Sequence, residues 1–525
     1  MKNTLFKSIL ALTISTCMLL SVVGCDNSQS GNNDNGNDNS ITKPSGNMGN
    51  QDDTYEKNGI IYVGEETNVT VETTVKNFGD FSSESDEKAA ELRTEILEAK
   101  DTIKVKGTTW YLSNNGDDSN DGNSPEKPWK TLNALSINAY KIKAGDAVLF
   151  ERGDIFRGNF NTVSGVSYGA YGSGNKPAIY GSKQNYAEEV WRRTSEKNIY
   201  ALIYTSTADV GMLVFNHGEA RGSKKLKKVF ECDEDYEFYQ DKEAGVLYLY
   251  CSKGNPGKVF YDIEILQNKS IISIPKNSEN VYIENLSLKY TGAFGISGGM
   301  PIKGITIKNC EIGWIGGSIH KAASNTRYGN GIQFYGQTTD AIVDHCWIYQ
   351  VYDAGLTHQY TGGDNNNPEM NATNISYTNN LLEFCAYSLE YFWNWKVNGV
   401  IVDNPNIYMK DILVENNIMR FAGYGLSEDR PDPINMGHVV TAHSYNRSIN
   451  FIVKNNIFDQ SKLRLFAIRT ATSVNPKFTD NTYIQKEGGK LGETYINGKK
   501  DTPAIDLNQA SLKTFDPSGK LVIVK

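Results

Sequence analysis

The sequence predicts an all-β fold, a parallel β-helix of stacked coils, on three observations. A six-residue motif, apolar–x–polar–x–x–apolar, occurs seven times in the second half of the chain, from Ile283-Glu-Asn-Leu-Ser-Leu288 to Phe478-Thr-Asp-Asn-Thr-Tyr483. Its third positions, Asn285, Asn309, His345, Asn379, Asn416, Asn455 and Asp480, lie 24, 36, 34, 37, 39 and 25 residues apart. Self-similarity at such a period marks a solenoid, in which each unit covers the open face of its neighbour. After most motifs a second short strand follows within the same unit, so the units are built of strands.

The N-terminus reads as an address. Lys2 and Lys7 precede a mostly apolar run, Ile9 to Val23, too short and wrongly flanked for a spanning helix. It ends in Val22-Val23-Gly24-Cys25, which resembles the lipobox of bacterial lipoproteins. The resemblance implies a signal peptide over 1–24, cleavage before Cys25, and lipid on its thiol at the outer face of a bacterial membrane. A plain secretory signal is the alternative. Residues 25–55 are dominated by Asn, Gly, Asp and Ser. Such a segment cannot bury surface and is expected to be a disordered tether with a reach of about 30 Å.

Residues 56–107 are expected to hold short strands and then a helix. Ser85 is placed to cap that helix, which runs to about Lys100 with Ala89, Leu92, Ile96 and Leu97 on one face. A solenoid needs its exposed end covered, and this helix is the candidate. The β-helix is assigned to 108–485. A β-rich insertion packed against it spans about 180–265, with strands such as Met212-Leu-Val-Phe215 and Val246-Leu-Tyr-Leu-Tyr250. Residues 486–525 form a C-terminal cap.

With 53 basic and 61 acidic residues the formal charge is −8, and no basic stripe is present, so nucleic acid is not an expected partner. The 30 Tyr and 7 Trp suit sugar rings, although packing of strand turns accounts for most of them. Cys232 and Cys251 flank a turn and are a candidate disulfide in an exported chain. Cys310 and Cys346 share a motif position with Asn380, Asn417, Asn456 and Asn481 and are expected to point inward.

The opening block supplies a resemblance. It comprises Trp110-Tyr-Leu-Ser-Asn-Asn-Gly116-Asp-Asp-Ser-Asn-Asp121-Gly, then Ser124-Pro-Glu-Lys-Pro-Trp129-Lys-Thr-Leu132, then Ala144-Gly-Asp146-Ala-Val-Leu-Phe150-Glu-Arg-Gly-Asp154-Ile-Phe-Arg-Gly158. This run resembles the first coil of bacterial right-handed β-helix proteins of the pectate-lyase-like superfamily. The resemblance implies a right-handed coil and an activity among glycoside hydrolases and polysaccharide lyases. It does not name a substrate. Asp117, Asp118 and Asp121 miss the calcium-loop spacing and read equally as turn formers.

Chemistry is expected on the second strand of each coil. The strands beginning at Gly331, Gly355, Ser388, Gly425 and Arg464 align on inward Ile332, Leu356, Leu389, Leu426 and Leu465. Alternation then makes Gln333, Thr357, Glu390, Ser427 and Phe466 outward neighbours, with Tyr335, Gln359, Phe392 and Asp429 in a second outward row. Long loops follow over 361–374, 393–411 and 430–448, carrying Trp393, Trp395, Lys396, Arg430, His438 and His443. Loops raised on one side of a rigid ladder build a cleft. Tolerated insertion is the plainer reading.

A glycosidase needs two carboxylates, one to protonate the leaving oxygen and one as base or nucleophile. Glu390 and Asp429 sit one coil and two residues apart in this alignment, roughly 8 Å between Cα atoms. That value falls in the inverting range of about 6.5–9.5 Å. Glu428 and Asp353 are further catalytic candidates, and any one of these acids could instead be a solvated charge paired with Arg430 or Lys396. Trp393, Trp395 and Tyr335 are expected as sugar platforms, and His358, Gln359 and Arg430 as orienting groups. Tyr391, Lys396 and His443 complete the expected substrate contacts. His358 also fits an inward, core position.

A lyase would use a basic residue or Tyr, among them Arg430, Lys396, Arg327, His358 and Tyr391, and calcium could neutralise a uronate. The outward rows hold no Lys or Arg except Arg464, which favours hydrolysis. A non-catalytic adhesin or glycan-binding β-helix should show regular coils with few loops, which the lopsided loops here oppose. The expectation is a surface-anchored, monomeric glycoside hydrolase acting on a polysaccharide or oligosaccharide without a cofactor. A polysaccharide lyase, calcium-dependent or not, is the second reading.

Overall fold

The computed structural model describes residues 55–57, 60–63, 83–363, 370–431, 436–441, 447–468, 476–494 and 504–525. The signal peptide, Cys25, nearly all of the tether, and His443 lie outside these residues.

The chain winds into a right-handed parallel β-helix. One face is a 10-stranded parallel sheet, from Thr109–Leu112 through Ser278–Glu284 and Met409–Glu415 to Lys477–Thr479. The other two faces join into a single sheet, because the strands Trp347–Gly362 and Leu381–Val397 continue round the corner between them.

The motif explains the winding residue by residue. Its first position stacks inward on the first face as Ile283, Ile307, Val343, Tyr377, Val414, Val453 and Phe478, each paired with the next. Its last position stacks as Leu288, Ile312, Ile348, Leu382, Met419, Phe458 and Tyr483 on the second face. The third position turns the corner: all seven residues have left-handed backbones, with φ between 50° and 58°. Asn and Asp tolerate that region better than other side chains, which is why they recur there.

The fourth position points inward as a hydrogen-bonded ladder. The Oδ1 atoms of Asn380, Asn417, Asn456 and Asn481 accept from the backbone N of Cys346, Asn380, Asn417 and Asn456, each at 2.9 Å. Asp516 ends the row, accepting from the backbone N and Nδ2 of Asn481. Cys310 and Cys346 extend the ladder as fully buried thiols.

The ends differ from expectation. α1 (Asp86–Leu97) does not cover the open first coil; it lies along the outside of the second face. Ala89 and Ile96 pack there on Leu381 and Ile418, because Arg93 and Asp86 bind Glu383 and Arg420 beneath them. Ser85 does not cap it with its side chain, since its hydroxyl donates to Asp459. α2 (Leu132–Ile137) instead places Leu132, Ala134 and Leu135 in the main core beside the first coil. At the far end, Phe515 of the helix Gln509–Phe515 stacks on Phe466 and Phe478.

The insertion is antiparallel. The strands Arg192–Thr194, Ile199–Ile203, Glu237–Asp241 and Val246–Tyr250 form most of one sheet, which Tyr55–Lys57 and Ile60–Val63 extend at its edge. Val210–Phe215 packs in a second, smaller sheet with Ile263–Gln267. Cys232 and Cys251 are not bonded: Cys251 sits in the cluster with Phe215 and Phe238, and Cys232 in another with Ile199 and Tyr248.

Candidate active site

The third face runs through Ile296–Gly298, Ile332–Tyr335 and the second halves of the two long strands to Gly437–Thr441 and Arg464–Ile468. Its inward row is Ile296, Ile332, Leu356, Leu389, Val439 and Phe466, and its outward row Ser297, Gln333, Thr357, Glu390, Val440 and Ala467. The expected alignment therefore holds from Gln333 to Glu390 and then breaks. Phe466 is inward, and Ser427 lies off the sheet. Gly425–Asp429 is a 3-10 turn, while the next coil's strand is Gly437–Thr441. The reason is local: Gly425 has φ +70°, and a Cβ there would lie 2.5 Å from Gln350 Oε1. That same oxygen accepts from Leu426 N at 2.8 Å, fixing the turn against the long strand. The lattice spacing of 8 Å between Glu390 and Asp429 consequently does not apply.

The turn instead gathers charge at the edge of this face. Arg221, from the insertion, donates to Asp429 Oδ1 at 2.5 Å and to Glu428 Oε2 at 3.5 Å. Lys462 Nζ reaches Glu428 Oε1 at 3.2 Å. Arg430 donates to Asp353 Oδ1 at 2.7 Å and lies over the rings of Tyr352 and Tyr387 at 5.5 and 5.4 Å. Asp429 Oδ2 is buried without a hydrogen-bond partner. Ala354 pairs with Tyr387 and Thr357 with Glu390, so Asp353 and Glu390 flank one short stretch of the two long strands.

Polar groups continue along the strand. Gln333 Oε1 accepts from Asn330 Nδ2 at 2.7 Å and from Gln359 Nε2 at 3.1 Å, and Thr357 Oγ1 donates to Gln359 Oε1 at 3.3 Å. Chemically, the region offers four carboxylates, three of them held by guanidiniums, beside a row of amides and a hydroxyl. Asp117 and Asp118 are turn formers: Asp117 accepts from Ser119, and Asp118 from Lys130 and Thr131.

Several expected substrate contacts are scaffold. Trp393 and Trp395 have inward parity and are buried, and Trp393 Nε1 donates to Met370 O at 2.6 Å. Tyr335 is buried with its hydroxyl on Thr361 O at 2.9 Å. His358 and Tyr391 stack on one another inside the coil, the imidazole also meeting Tyr377 OH at 3.2 Å. Burial pushes the His358 imidazole down to about 3, so it is neutral there. Lys396 is buried at the end of its strand. For Tyr391, Trp393 and Trp395 the reason is parity, because the long strands keep alternating where a loop was expected; Tyr335 and Lys396 keep outward parity and are buried nonetheless. Of the expected set, Glu390, Asp353, Glu428, Asp429, Gln359 and Arg430 belong to this region. Arg221, Lys462, Tyr352 and Tyr387 were not foreseen. Arg221 carries no signal in sequence, being 208 residues before Asp429.

No family model matches the chain. An 89-residue stretch is 35% identical to the lacto-N-biosidase of Bifidobacterium longum subsp. longum, spanning 15% of this chain and 6% of that protein. Among solved structures, the chain is similar to XylC in complex with xylose, at TM-score 0.44 and 10% identity over 79% of this chain and 83% of that one. A GH136 lacto-N-biosidase from Eubacterium ramulus has TM-score 0.37 and 13% identity, over 79% and 68% of the two chains. For the pectate lyase Pel9A the values are 0.35 and 10%, over 77% and 80%.

Proposed function

We propose that this chain is a glycoside hydrolase that cleaves an extracellular polysaccharide or oligosaccharide. The observation that carries the reading is that Asp353 and Glu390, on neighbouring long strands, and Glu428 and Asp429, on one turn tied to Asp353 through Arg430, gather at one edge of the third face. Hydrolysis of a glycosidic bond needs a proton donor and a second carboxylate as base or nucleophile. Asp429, oriented by Arg221, suits the second role, which uses an ionised and fixed carboxylate. Glu390 stands between Thr357 and Val440 on neighbouring strands and is assigned the proton donor's role. The amides of Gln333 and Gln359, hydrogen-bonded to one another in the adjoining row, support a polar surface for a sugar there.

β-Elimination on a uronate is less well served. Arg221, Arg430 and Lys462 are each already paired with a carboxylate, whereas a uronate needs a cation of its own. The lipobox-like Val22-Val23-Gly24-Cys25 supports a mature protein anchored by lipid at the cell surface. The test is turnover of a polysaccharide panel with product analysis. Products should lack the ultraviolet absorbance of an unsaturated uronate, and Glu390→Gln should lower turnover at least a hundredfold, by about the weight of a general acid. Unsaturated products, or unchanged turnover in Glu390→Gln, would overturn the assignment.

A further inference from the structure

A second concave site lies on the neighbouring face. A cavity of about 590 Å³ opens between α1, the insertion and the outside of the second face. Its walls are Asp86, Ala90 and Arg93 from α1 and His217 and Gly218 from the insertion. Its floor is Trp314, Trp347, Tyr349, Phe384 and Phe421, with Gln350, Glu383 and Arg420. That size lies within the range of small-molecule sites.

The floor is built of residues in a costly conformation. At one corner of six successive coils stand Tyr290, Trp314, Gln350, Phe384, Phe421 and Gln460, all left-handed with φ between 48° and 63°. Asn suits this region, as it does at the preceding corner, whereas aromatic side chains there are strained. Tyr290 and Trp314 are covered by Met212, Val214 and Leu266 of the insertion. Gly218 approaches so closely that a Cβ would lie 2.5 Å from the Trp314 ring. Two and three coils beyond Trp314, at Phe384 and Phe421, that cover ends. Phe384 and Phe421 stack at 5.2 Å, and Phe384 stays half-buried against the open cavity.

The charges on the walls are mutually satisfied. Glu383 binds Arg93 at 2.8 Å and Arg420 at 3.0 Å, Arg420 also pairs with Asp86, and Trp347 Nε1 donates to Glu383 at 2.9 Å. Arg420 Nε also lies 3.5 Å from Asp459, so two guanidiniums face three carboxylates and leave no excess positive charge to hold an anion. They still present donors and acceptors together, and Arg93 Nε is buried without a hydrogen-bond partner. Arg93 and Tyr349 cover Trp347, and Arg420 covers Phe421, so the half-buried Phe384 is the ring at the cavity surface. It meets a C–H face while the paired charges supply donors and acceptors for hydroxyls, which matches a neutral sugar.

We infer that this cavity is a second binding site, for a neutral sugar unit, separate from the carboxylate cleft. Gln350 lines the cavity and also accepts the hydrogen bond from Leu426, so the site backs directly onto the turn carrying Glu428 and Asp429. It stands independently of the catalytic assignment.

The experiment is calorimetric titration of the full mature chain bearing Glu390→Gln with xylobiose, lactose and digalacturonate. At least one neutral disaccharide should bind. Adding Ala90→Trp, a fill of the cavity from an exposed helix position, should weaken that binding at least tenfold without lowering the melting temperature. Phe384→Ala should weaken it as well, and digalacturonate should bind neither protein through this site. Ala90→Trp in the otherwise wild-type chain should leave turnover of a short substrate unchanged, which keeps this test apart from that of Glu390. The inference is overturned if no neutral probe binds, if both variants leave binding unchanged, or if Ala90→Trp abolishes digalacturonate binding.

Discussion

Two residue-scale features carry direct tests. Asn417 serves four neighbours: its Oδ1 accepts from Asn380 N, and its Nδ2 donates to Tyr377 O, Glu415 O and Asn456 Oδ1. Asn417→Ala leaves these groups unsatisfied inside the coil, so a loss of about 3 kcal/mol is expected, read as a lower denaturant midpoint. The second feature is the one corner where His replaces Asn. His345 Nδ1 lies 2.9 Å from Asp344 Oδ2, and this carboxylate raises the imidazole pKa above its ordinary 6.5. Glu95 and Lys308 also face the pair, at 3.4 Å from His345 Nε2 and 3.1 Å from Asp344. Burial opposes ionisation of Asp344, but its bonds to His345, Asn379 and Thr378 outweigh this and hold it below its ordinary 3.8. A raised imidazole stabilises fully below pH 6.5 and loses this as pH climbs through its folded value; a lowered carboxylate stabilises above 3.8 and loses this as pH falls. The pair therefore contributes most between about pH 4 and 6.5. Against His345→Asn, the wild type should gain at pH 5.5 and lose that gain above neutrality, which melting temperatures across pH will show.

At the scale of elements, the insertion does more than decorate the coil. Its strand Ala220–Arg221 delivers a guanidinium to Asp429 at the edge of the third face. Arg221→Met should leave the coil folded while misplacing that carboxylate, with turnover down roughly ten- to a hundredfold and little change in melting temperature. The Gly425–Asp429 turn shows why the expected alignment failed. Gly437-His-Val-Val-Thr441 is the stronger strand by composition, with β-branched residues and no acid pair, yet Gly425-Leu-Ser-Glu-Asp429 matched the apparent pattern. α1 shows the complementary case: its boundaries and apolar face were close to legible, whereas its partner was not. Ion pairs to Glu383 and Arg420, roughly 290 and 330 residues away, dock it on the coil's flank.

Across the whole molecule, the coil is a scaffold on which side chains from distant segments meet, and the proposed lipid anchor at Cys25 is directly testable. Cys25→Ser should release the protein from the membrane fraction with unchanged specific activity, as fractionation of expressing cells will show. What the chain determined by itself was the winding: apolar positions, left-handed Asn corners and the inward ladder are local or nearest-coil properties, so each repeat states them again. Glu390 was legible for the same reason, because its row continues an unbroken alternation. The tertiary structure decided the rest. Arg221 opposite Asp429, the inward parity of Trp393 and Trp395, and the aromatic cavity under α1 arise where an insertion, a continuous strand and a flanking helix meet the coil. Those meetings depend on contacts between segments far apart in sequence, which no period can encode.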